Sequence, residues 1–196
     1  TVTFISPEDQ SFAGLGHGIC DNDTGEVIPM QRGIVTEVTI SGITKGVPGD
    51  PGEIKGYFST TRTGTLLGNT PCGVYGIFAT LPDALSKLAE EPLPVAHADE
   101  IHEGEAIVYC TLSSNERRAY SIRISSIDRD ATGSKCFSVR ITDPALLEES
   151  GGIVQGMSGS PIIQDGKLVG AVTHVLVNDP TRGYGIFIEN MLTAAS

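Results

Sequence analysis

Short segments of alternating or β-branched residues recur along almost the whole chain, and turn residues separate them. The clearest of these segments are residues 1–5, 33–40, 73–79, 106–112, 119–124, 137–141, 161–164 and 168–173. Segments of this length and pattern predict β-strands. The last two flank Asp165-Gly166, a dipeptide that favours a tight hairpin turn. The pattern therefore predicts an all-β fold, either a barrel or a sandwich.

Helix signals are few. Residues 82–91 favour one short helix. A second is predicted over 143–149, because Asp143 can cap it, Pro144 suits its first position and Gly151-Gly152 can end it. Residues 185–192 indicate a strand that runs into a helical turn. The expected fold therefore contains only a few short helices.

The charge and length limit what the chain can bind. Its 196 residues suffice for one domain or for two small halves packed together. A net charge of -11 disfavours nucleic acid and anionic lipid as partners. No apolar run approaches the roughly 18 residues of a membrane span, so direct membrane insertion is not expected. The start of the sequence shows no signal-peptide pattern.

Neither the cysteines nor the histidine-rich loop predicts a metal or a cofactor. The four cysteines lie far apart without a CxxC pair, and isolated thiols are favoured slightly over disulfides. His97 and His102 lie among several carboxylates, but their spacing matches no known metal site. A solvated loop is the favoured interpretation of that segment.

The segment Gly156-Met157-Ser158-Gly159-Ser160-Pro161 carries the clearest chemical signal. A serine nucleophile needs an exposed hydroxyl on a tight turn, with backbone N–H groups nearby to bind the oxyanion. The flanking glycines permit such a turn. Ser158 is therefore the candidate nucleophile, and the N–H groups of Gly156 and Ser158 are the candidate oxyanion hole. The alternative is a glycine- and serine-rich turn that merely joins two strands.

A candidate base lies far upstream of Ser158. His17 stands between Gly16 and Gly18, which would leave its ring accessible. A histidine that precedes the serine permits the chain order His, Asp, Ser, which is the chymotrypsin order. The alternative is a structural histidine. The apolar strand and hairpin after Ser158 resemble the chymotrypsin-like serine peptidases, in which the second strand of such a hairpin lines the substrate groove.

The chain resembles a narrower family, the SpoIVB-type peptidases of endospore-forming bacteria. The matching segments are residues 14–17, 48–53, 142–143, 151–164, 170–175, 177–180 and 183–185. The resemblance implies a chymotrypsin-like double β-barrel, with residues 1–196 forming one peptidase domain of two barrel halves. It also implies that His17 is the general base, Asp143 its orienting acid and Ser158 the nucleophile.

Asp143 has a competing role, because an Asp before Pro144 is a natural helix cap. The family pattern favours it over the other carboxylates, which are Asp99, Asp128 and Asp130. Val172, Thr173 and His174 are the predicted groove residues. Thr173 could hydrogen-bond the orienting carboxylate. His174 could contact substrate or pack in the core.

The resemblance further implies a biological setting. Family members cleave themselves and a membrane-bound regulatory partner during spore formation, between the two membranes that surround the forespore. They usually carry a membrane anchor and a PDZ domain, and we expect neither within residues 1–196. The alternative function is a catalytically silent chymotrypsin-like fold that acts as a binding or signalling module.

Overall fold

The computed structural model describes residues 1–30, 32–86 and 92–195. These residues form eleven strands and three short helices. The strands are β1 (Val2–Ile5), β2 (Ser11–Gly14), β3 (Gly33–Thr44), β4 (Glu53–Thr70), β5 (Gly73–Phe78), β6 (Gly104–Thr111), β7 (Arg117–Ser125), β8 (Phe137–Ile141), β9 (Pro161–Gln164), β10 (Lys167–Leu176) and β11 (Asp179–Phe187). The helices are α1 (Asp83–Ser86), α2 (Pro144–Ser150) and α3 (Ile188–Ala194).

The first five strands form an antiparallel sheet in the order β1-β2-β5-β4-β3. Strands β3 and β4 make a long hairpin that pairs from Gly33 with Leu66 to Thr44 with Glu53. Much of this hairpin is open to solvent, and Tyr57 and Phe58 are 73% and 80% exposed. A hairpin covered on neither face has little core of its own, so it depends on its contacts with the rest of the molecule.

The last six strands close into a barrel in the order β10-β11-β8-β7-β6-β9. Alternation sets its interior, as β7 shows: Tyr120, Ile122 and Ile124 are buried, whereas Ser121 and Arg123 between them are exposed. The largest fully buried side chains of this half include Phe137, Phe187, Leu112, Ile162, Ile186, Leu146, Met157 and Met191. The main hydrophobic core therefore lies in and around the barrel.

The predicted hairpin turn between β9 and β10 is confirmed. Asp165 and Gly166 both have positive φ angles, 51° and 76°. Two consecutive residues of that kind form the turn whose twist matches two antiparallel strands. Lys167 then pairs with Gln164, and Leu168 with Ile163.

The three helices agree in part with the sequence patterns. Helix α1 covers the start of the predicted 82–91 segment, and residues 87–91 lie outside the described part of the chain. Helix α2 begins after its cap Asp143 and ends at Gly151, whose φ is 75°. Helix α3 follows β11, as the pattern over 185–192 indicated. Of the helices that the structure describes, none has the length and apolar character to cross a membrane.

The all-β prediction is confirmed, with one closed barrel and one five-stranded sheet that forms the other half. The tip of the β3–β4 hairpin reaches across to the barrel half. There Ile54 N–H donates to the carbonyl of Gln155 at 2.8 Å, and Gln155 N–H donates to that of Gly52 at 3.1 Å. The hairpin thus contacts the chain directly before Gly156.

Candidate active site

Ser158 lies in the tight turn between α2 and β9, and this turn is fixed to strand β10. Gly159 N–H donates to the carbonyl of Val172 at 2.8 Å, and Val172 N–H donates to that of Ser160 at 3.0 Å. Ser160 N–H closes the turn on the carbonyl of Met157 at 2.9 Å. The position of Ser158 is therefore set by backbone contacts on both sides of it.

Glycine is required directly after Ser158. Gly159 has a φ of 85°, which favours glycine. A Cβ atom there would also approach the backbone of Leu15 and the carbonyl oxygen of Thr1. The chain around Leu15 can lie against the nucleophile turn only because this side chain is absent.

His17 follows directly on that close contact. Gly16 packs so tightly on the barrel that a Cβ atom would lie 2.8 Å from the Thr173 side chain and 2.9 Å from that of Ile186. The His17 ring then lies beside the His174 ring, with 5.1 Å between the two centroids. The sheet half thus places His17 next to strand β10, to which the Ser158 turn is also hydrogen-bonded.

The hydroxyl of Ser158 donates to the carbonyl of Thr173 at 3.0 Å. Among the described residues, no hydrogen bond joins Ser158 to His17. In this state the nucleophile contacts Thr173 and the candidate base contacts His174, two neighbouring residues of β10, without a hydrogen bond between them. The serine hydroxyl carries one hydrogen, so it must leave the Thr173 carbonyl before it can donate to His17.

The other ring nitrogen of His17 has a defined partner. Nδ1 lies 2.8 Å from the carbonyl oxygen of Gly18. A carbonyl can only accept, so Nδ1 carries the proton and Nε2 of the neutral ring holds a lone pair. This is the tautomer that a general base needs in order to take a proton from serine.

The predicted oxyanion donors are unengaged. Within the described part of the chain, the N–H groups of Gly156 and Ser158 make no hydrogen bond, whereas the carbonyls of both residues accept bonds from Thr1. Thr1 Oγ1 donates to the Gly156 carbonyl at 3.2 Å. Two free backbone donors beside a serine hydroxyl are the chemistry that an oxyanion requires.

Asp143 lies elsewhere in the structure. One carboxylate oxygen accepts from the N–H groups of Ala145 and Leu146 at 2.9 and 3.3 Å, and the other accepts from Ser121 at 3.2 Å. Its charge acts on the barrel thiol Cys110: burial first, then Glu149 and Asp143, raise the pKa of that thiol to about 12. These are the contacts of a helix cap. No described contact joins Asp143 to His17, and its catalytic role stays a prediction.

Two of the predicted groove residues turn their side chains inward. Val172 is fully buried, so only its backbone can face a substrate. Thr173 Oγ1 donates to the carbonyls of Ser134 and Tyr184 at 2.7 and 3.2 Å. The expectation that this hydroxyl holds the orienting carboxylate differs from the structure, because both of its acceptors are backbone groups.

His174 packs against His17 rather than pointing into open solvent. Its Nδ1 is buried and has no hydrogen-bond partner among the described residues. Burial, followed by the nearby His17 and Lys135 charges, lowers the pKa of His174 to about 4. His174 is therefore neutral near pH 7, and a neutral ring beside His17 adds no repulsion when His17 takes up a proton.

The remaining histidines lie apart from this site and from each other. His97 pairs with Glu189 at 2.8 Å, and His102 pairs with Asp165 at 2.8 Å. The hydrogen bond to Glu189 raises the pKa of His97. In the described ranges, His, Cys, Asp and Glu side chains form no group of three that could hold a metal ion. All four cysteines are free thiols; Cys110 and Cys136 are buried, whereas Cys20 is exposed and Cys72 is half-buried.

The sequence pattern did not reveal the partner of His17 Nδ1. A backbone carbonyl can come from any residue, so Gly18 carried no signal for this role beyond its position next to His17. The sequence did identify both residues that the fold brings to β10, His17 and Ser158.

The chain is similar to one peptidase family and to solved protease structures. The family model described as SpoIVB peptidase S55 matches residues 1–192. No curated protein matches the sequence. Among solved structures, the active form of the Rv3671c protease from M. tuberculosis is similar at 17% identity and a TM-score of 0.48, with 72% of this chain and 61% of that chain covered. An inactive serine-to-alanine mutant of the same protease is 16% identical, with a TM-score of 0.47 and coverage of 72% and 69%.

The match to the family model spans nearly the whole chain and includes the segments that carry both His17 and Ser158. The chain therefore belongs to the SpoIVB peptidase family S55, a family of serine peptidases.

Proposed function

We propose that this chain is the peptidase domain of a regulated endopeptidase that cleaves itself and a membrane-bound regulatory protein during spore formation. In this proposal Ser158 is the nucleophile and His17 the general base. The observation that carries it is the convergence on β10: the hydroxyl of Ser158 donates to Thr173, while the His17 ring packs on the next residue, His174. The family match supports the biological setting.

The proposed reaction uses the side chains of Ser158 and His17 in turn. The Ser158 hydroxyl rotates from the Thr173 carbonyl toward Nε2 of His17, which takes its proton as Oγ attacks the scissile carbonyl. The N–H groups of Gly156 and Ser158 hold the resulting oxyanion. His17 then donates the proton to the leaving amine, an acyl-enzyme forms on Ser158, and water hydrolyses it through the same base.

An open strand edge offers a place for the substrate backbone. Strand β9 pairs with β10 only from Lys167 to Ala171, whereas β11 pairs with β10 as far as Leu176. Among the described residues, the end of β10 thus has one edge without a paired strand, at the Thr173 carbonyl that Ser158 contacts. An extended peptide can add to such an edge as a further strand, which fits a protein substrate. The acidic body, with a net charge of -11, does not suit nucleic acid.

Active-site labelling tests the catalytic assignment. A fluorophosphonate probe is expected to label the protein at Ser158, and Ser158→Ala is expected to abolish labelling. Ser160→Ala is the matched control, because Ser160 lies in the same turn but is fully buried. Labelling that survives in Ser158→Ala and disappears in Ser160→Ala would overturn the assignment.

The finer proposal concerns substrate and location. Full-length protein produced together with a membrane-anchored candidate regulator should yield cleaved products of both proteins, identified by mass spectrometry of their new ends. Ser158→Ala should leave both intact. Products that persist in this variant would point to another peptidase. The expected location is extracytoplasmic, between the two membranes around the forespore, with a PDZ domain and a membrane anchor in the full-length protein.

One observation favours a second function, that of a binding module. The Ser158 hydroxyl is engaged with Thr173 and not with His17, so the described state is not poised for attack. A module of this kind would bind an extended segment on β10 without cleaving it. Absence of probe labelling in intact full-length protein, with retained peptide binding, would favour it.

A further inference from the structure

His17 Nδ1 donates its proton to a peptide group that is fixed in turn by a side-chain hydrogen bond. The acceptor is the carbonyl of Gly18, at 2.8 Å. That carbonyl belongs to the same planar peptide unit as the N–H of Ile19. The Ile19 N–H donates to Oδ1 of Asn69 at 2.8 Å. A side chain on β4 thus fixes the plane of the group that orients His17.

The amide of Asn69 has one possible orientation. Its Nδ2 donates to the carbonyls of Ile19 and Ile28 at 2.8 and 3.0 Å, and these oxygens can only accept. Oδ1 is therefore the atom that faces the Ile19 N–H. With three hydrogen bonds to the backbone, the amide clamps both strands of the loop that follows His17.

The peptide between Gly18 and Ile19 is also confined by packing. A Cβ atom on Gly18 would lie 2.9 Å from the carbonyl oxygen of Thr70 and 3.0 Å from the Val27 side chain. Thr70 directly follows Asn69 at the end of β4. The same short stretch of β4 therefore supplies both the hydrogen bond and the steric wall that hold this peptide.

We propose that Asn69 is the positioning residue for His17, acting through the Gly18–Ile19 peptide in the place that a carboxylate holds in a Ser-His-Asp triad. This inference rests on the proposed function of His17 and names what orients it. Asn69 accepts from the peptide N–H, the peptide carbonyl accepts from Nδ1, and Nε2 is left to accept from Ser158. Hydrogen bonds in such a chain polarise one another, so each strengthens the next.

The structure leaves this role open for Asn69, because the carboxylate implied by family resemblance is engaged elsewhere. Both oxygens of Asp143 accept from backbone N–H groups at the start of α2 and in β7. A peptide carbonyl is neutral and stabilises the protonated ring less than a carboxylate does. The peptide carbonyl contributes instead by fixing the tautomer and the orientation of the His17 ring.

The test compares Asn69→Ala with a matched clamp elsewhere in the protein. Asn115 also holds a backbone segment, accepting from Ile40 N–H at 2.6 Å and donating to the Ile40 carbonyl at 3.0 Å. Its φ is 56°, so Asn115→Gly removes the amide without straining the backbone. Both variants lose an amide clamp, but only Asn69→Ala releases the peptide beside His17.

Three readouts separate positioning from mere stability. In Asn69→Ala, kcat should fall about 10- to 100-fold with KM within a few fold, the size expected for a misplaced catalytic group. The imidazole ¹⁵N spectrum of His17 should change from one tautomer, with the proton on Nδ1, to a mixture. Asn115→Gly should show a comparable decrease in Tm with wild-type kcat and a single His17 tautomer.

Equal kcat and an unchanged tautomer in Asn69→Ala would overturn the inference. Should this variant fail to fold, Asn69→Ser is measured in the same way, since its hydroxyl retains part of the polar contact. An inactive wild-type protein that no probe labels would instead contradict the proposed function, so the two failures are distinguishable.

Discussion

Ser158 lies beside a closed barrel that supplies nearly all of the main core together with its own loops and helices, whereas His17 follows a short strand of the five-stranded sheet. Among the described residues, Ala13 is the single buried member of that core cluster that comes from the sheet. The nucleophile turn is therefore attached by backbone hydrogen bonds to β10, a strand of the half that holds the main core. The base is placed mainly by hydrogen bonds and close backbone contacts. We therefore expect substitutions in the sheet half to lower catalytic activity more than they lower the free energy of unfolding.

We expect the largest effect when the catalytic side chain of Ser158 or His17 is removed. Ser158→Ala and His17→Ala should each lower kcat by roughly 10⁶-fold, and the double variant should lose little more, because the two side chains act as a unit. Neither change removes a core side chain, so the unfolding free energy should change by no more than about 1 kcal/mol, the size of one lost hydrogen bond. Steady-state kinetics and chemical denaturation measure both quantities. Near wild-type kcat in His17→Ala would show that another group is the base.

The next effect tests the contact between the two halves. Gly16→Ala places a methyl group against Thr173 and Ile186, and its φ of 70° adds strain. We expect kcat/KM to fall about 100-fold, because the shift displaces His17 from Ser158.

Gly42→Ala is the control for this change, since a Cβ atom at Gly42 in β3 meets open space. It should retain wild-type kcat/KM. Equal kinetics in the two variants would show that the fit of Gly16 against the barrel does not position His17.

A smaller effect separates the two roles of Asp143. Asp143→Ala should lower the unfolding free energy by about 1 kcal/mol, because the start of α2 loses its cap. Asp143→Asn should retain most of that stability, since Asn caps helices as well as Asp does. Its kcat should stay within a few fold of wild type. A large loss of kcat in a fully stable Asp143→Asn protein would identify Asp143 as the orienting acid.

The smallest expected effect is in the pH dependence of stability. The pKa of His174 is lowered to about 4 in the folded state, from 6.5. Between these values the unfolded chain binds more protons than the folded chain at this site, so stability falls as the pH drops from 6.5 toward 4. Partial exposure of the ring reduces the size of the effect. Urea denaturation across this range should show a shallower decline for His174→Gln, and an identical decline would show that other groups control it.

The sequence predicted five of the six barrel strands, whereas β11 was expected only from residue 185 onward. The Asp165-Gly166 turn between β9 and β10 has the expected chemistry. The longest strand, β4, was not predicted. It is rich in Ser and Thr and solvent-exposed over much of its length, so no apolar periodicity marks it. Alternation of apolar and polar residues marks a strand only where one face is buried. Strand β4 is held mainly by backbone pairing with β3 and β5, so its sequence shows little alternation.

The candidate site divides in the same way. Ser158 and His17 were predicted because glycines flank them in recognisable patterns. The inward orientation of Val172 and Thr173 could not be predicted, since it depends on the register of β10 between β9 and β11. The contact between His17 and His174 depends on how the two halves meet. Contacts of that kind join residues far apart in the sequence and leave no local signal.

The hydrogen bond from Ser158 to the Thr173 carbonyl has a kinetic consequence. It must break before the hydroxyl can pass its proton to His17, so its strength adds to the activation barrier of every turnover. A hydrogen bond of this kind contributes about 1 kcal/mol net, which corresponds to roughly a fivefold slower attack. A substrate whose own backbone N–H takes over that carbonyl would remove this barrier as it binds, so the first productive contact would also set the hydroxyl free.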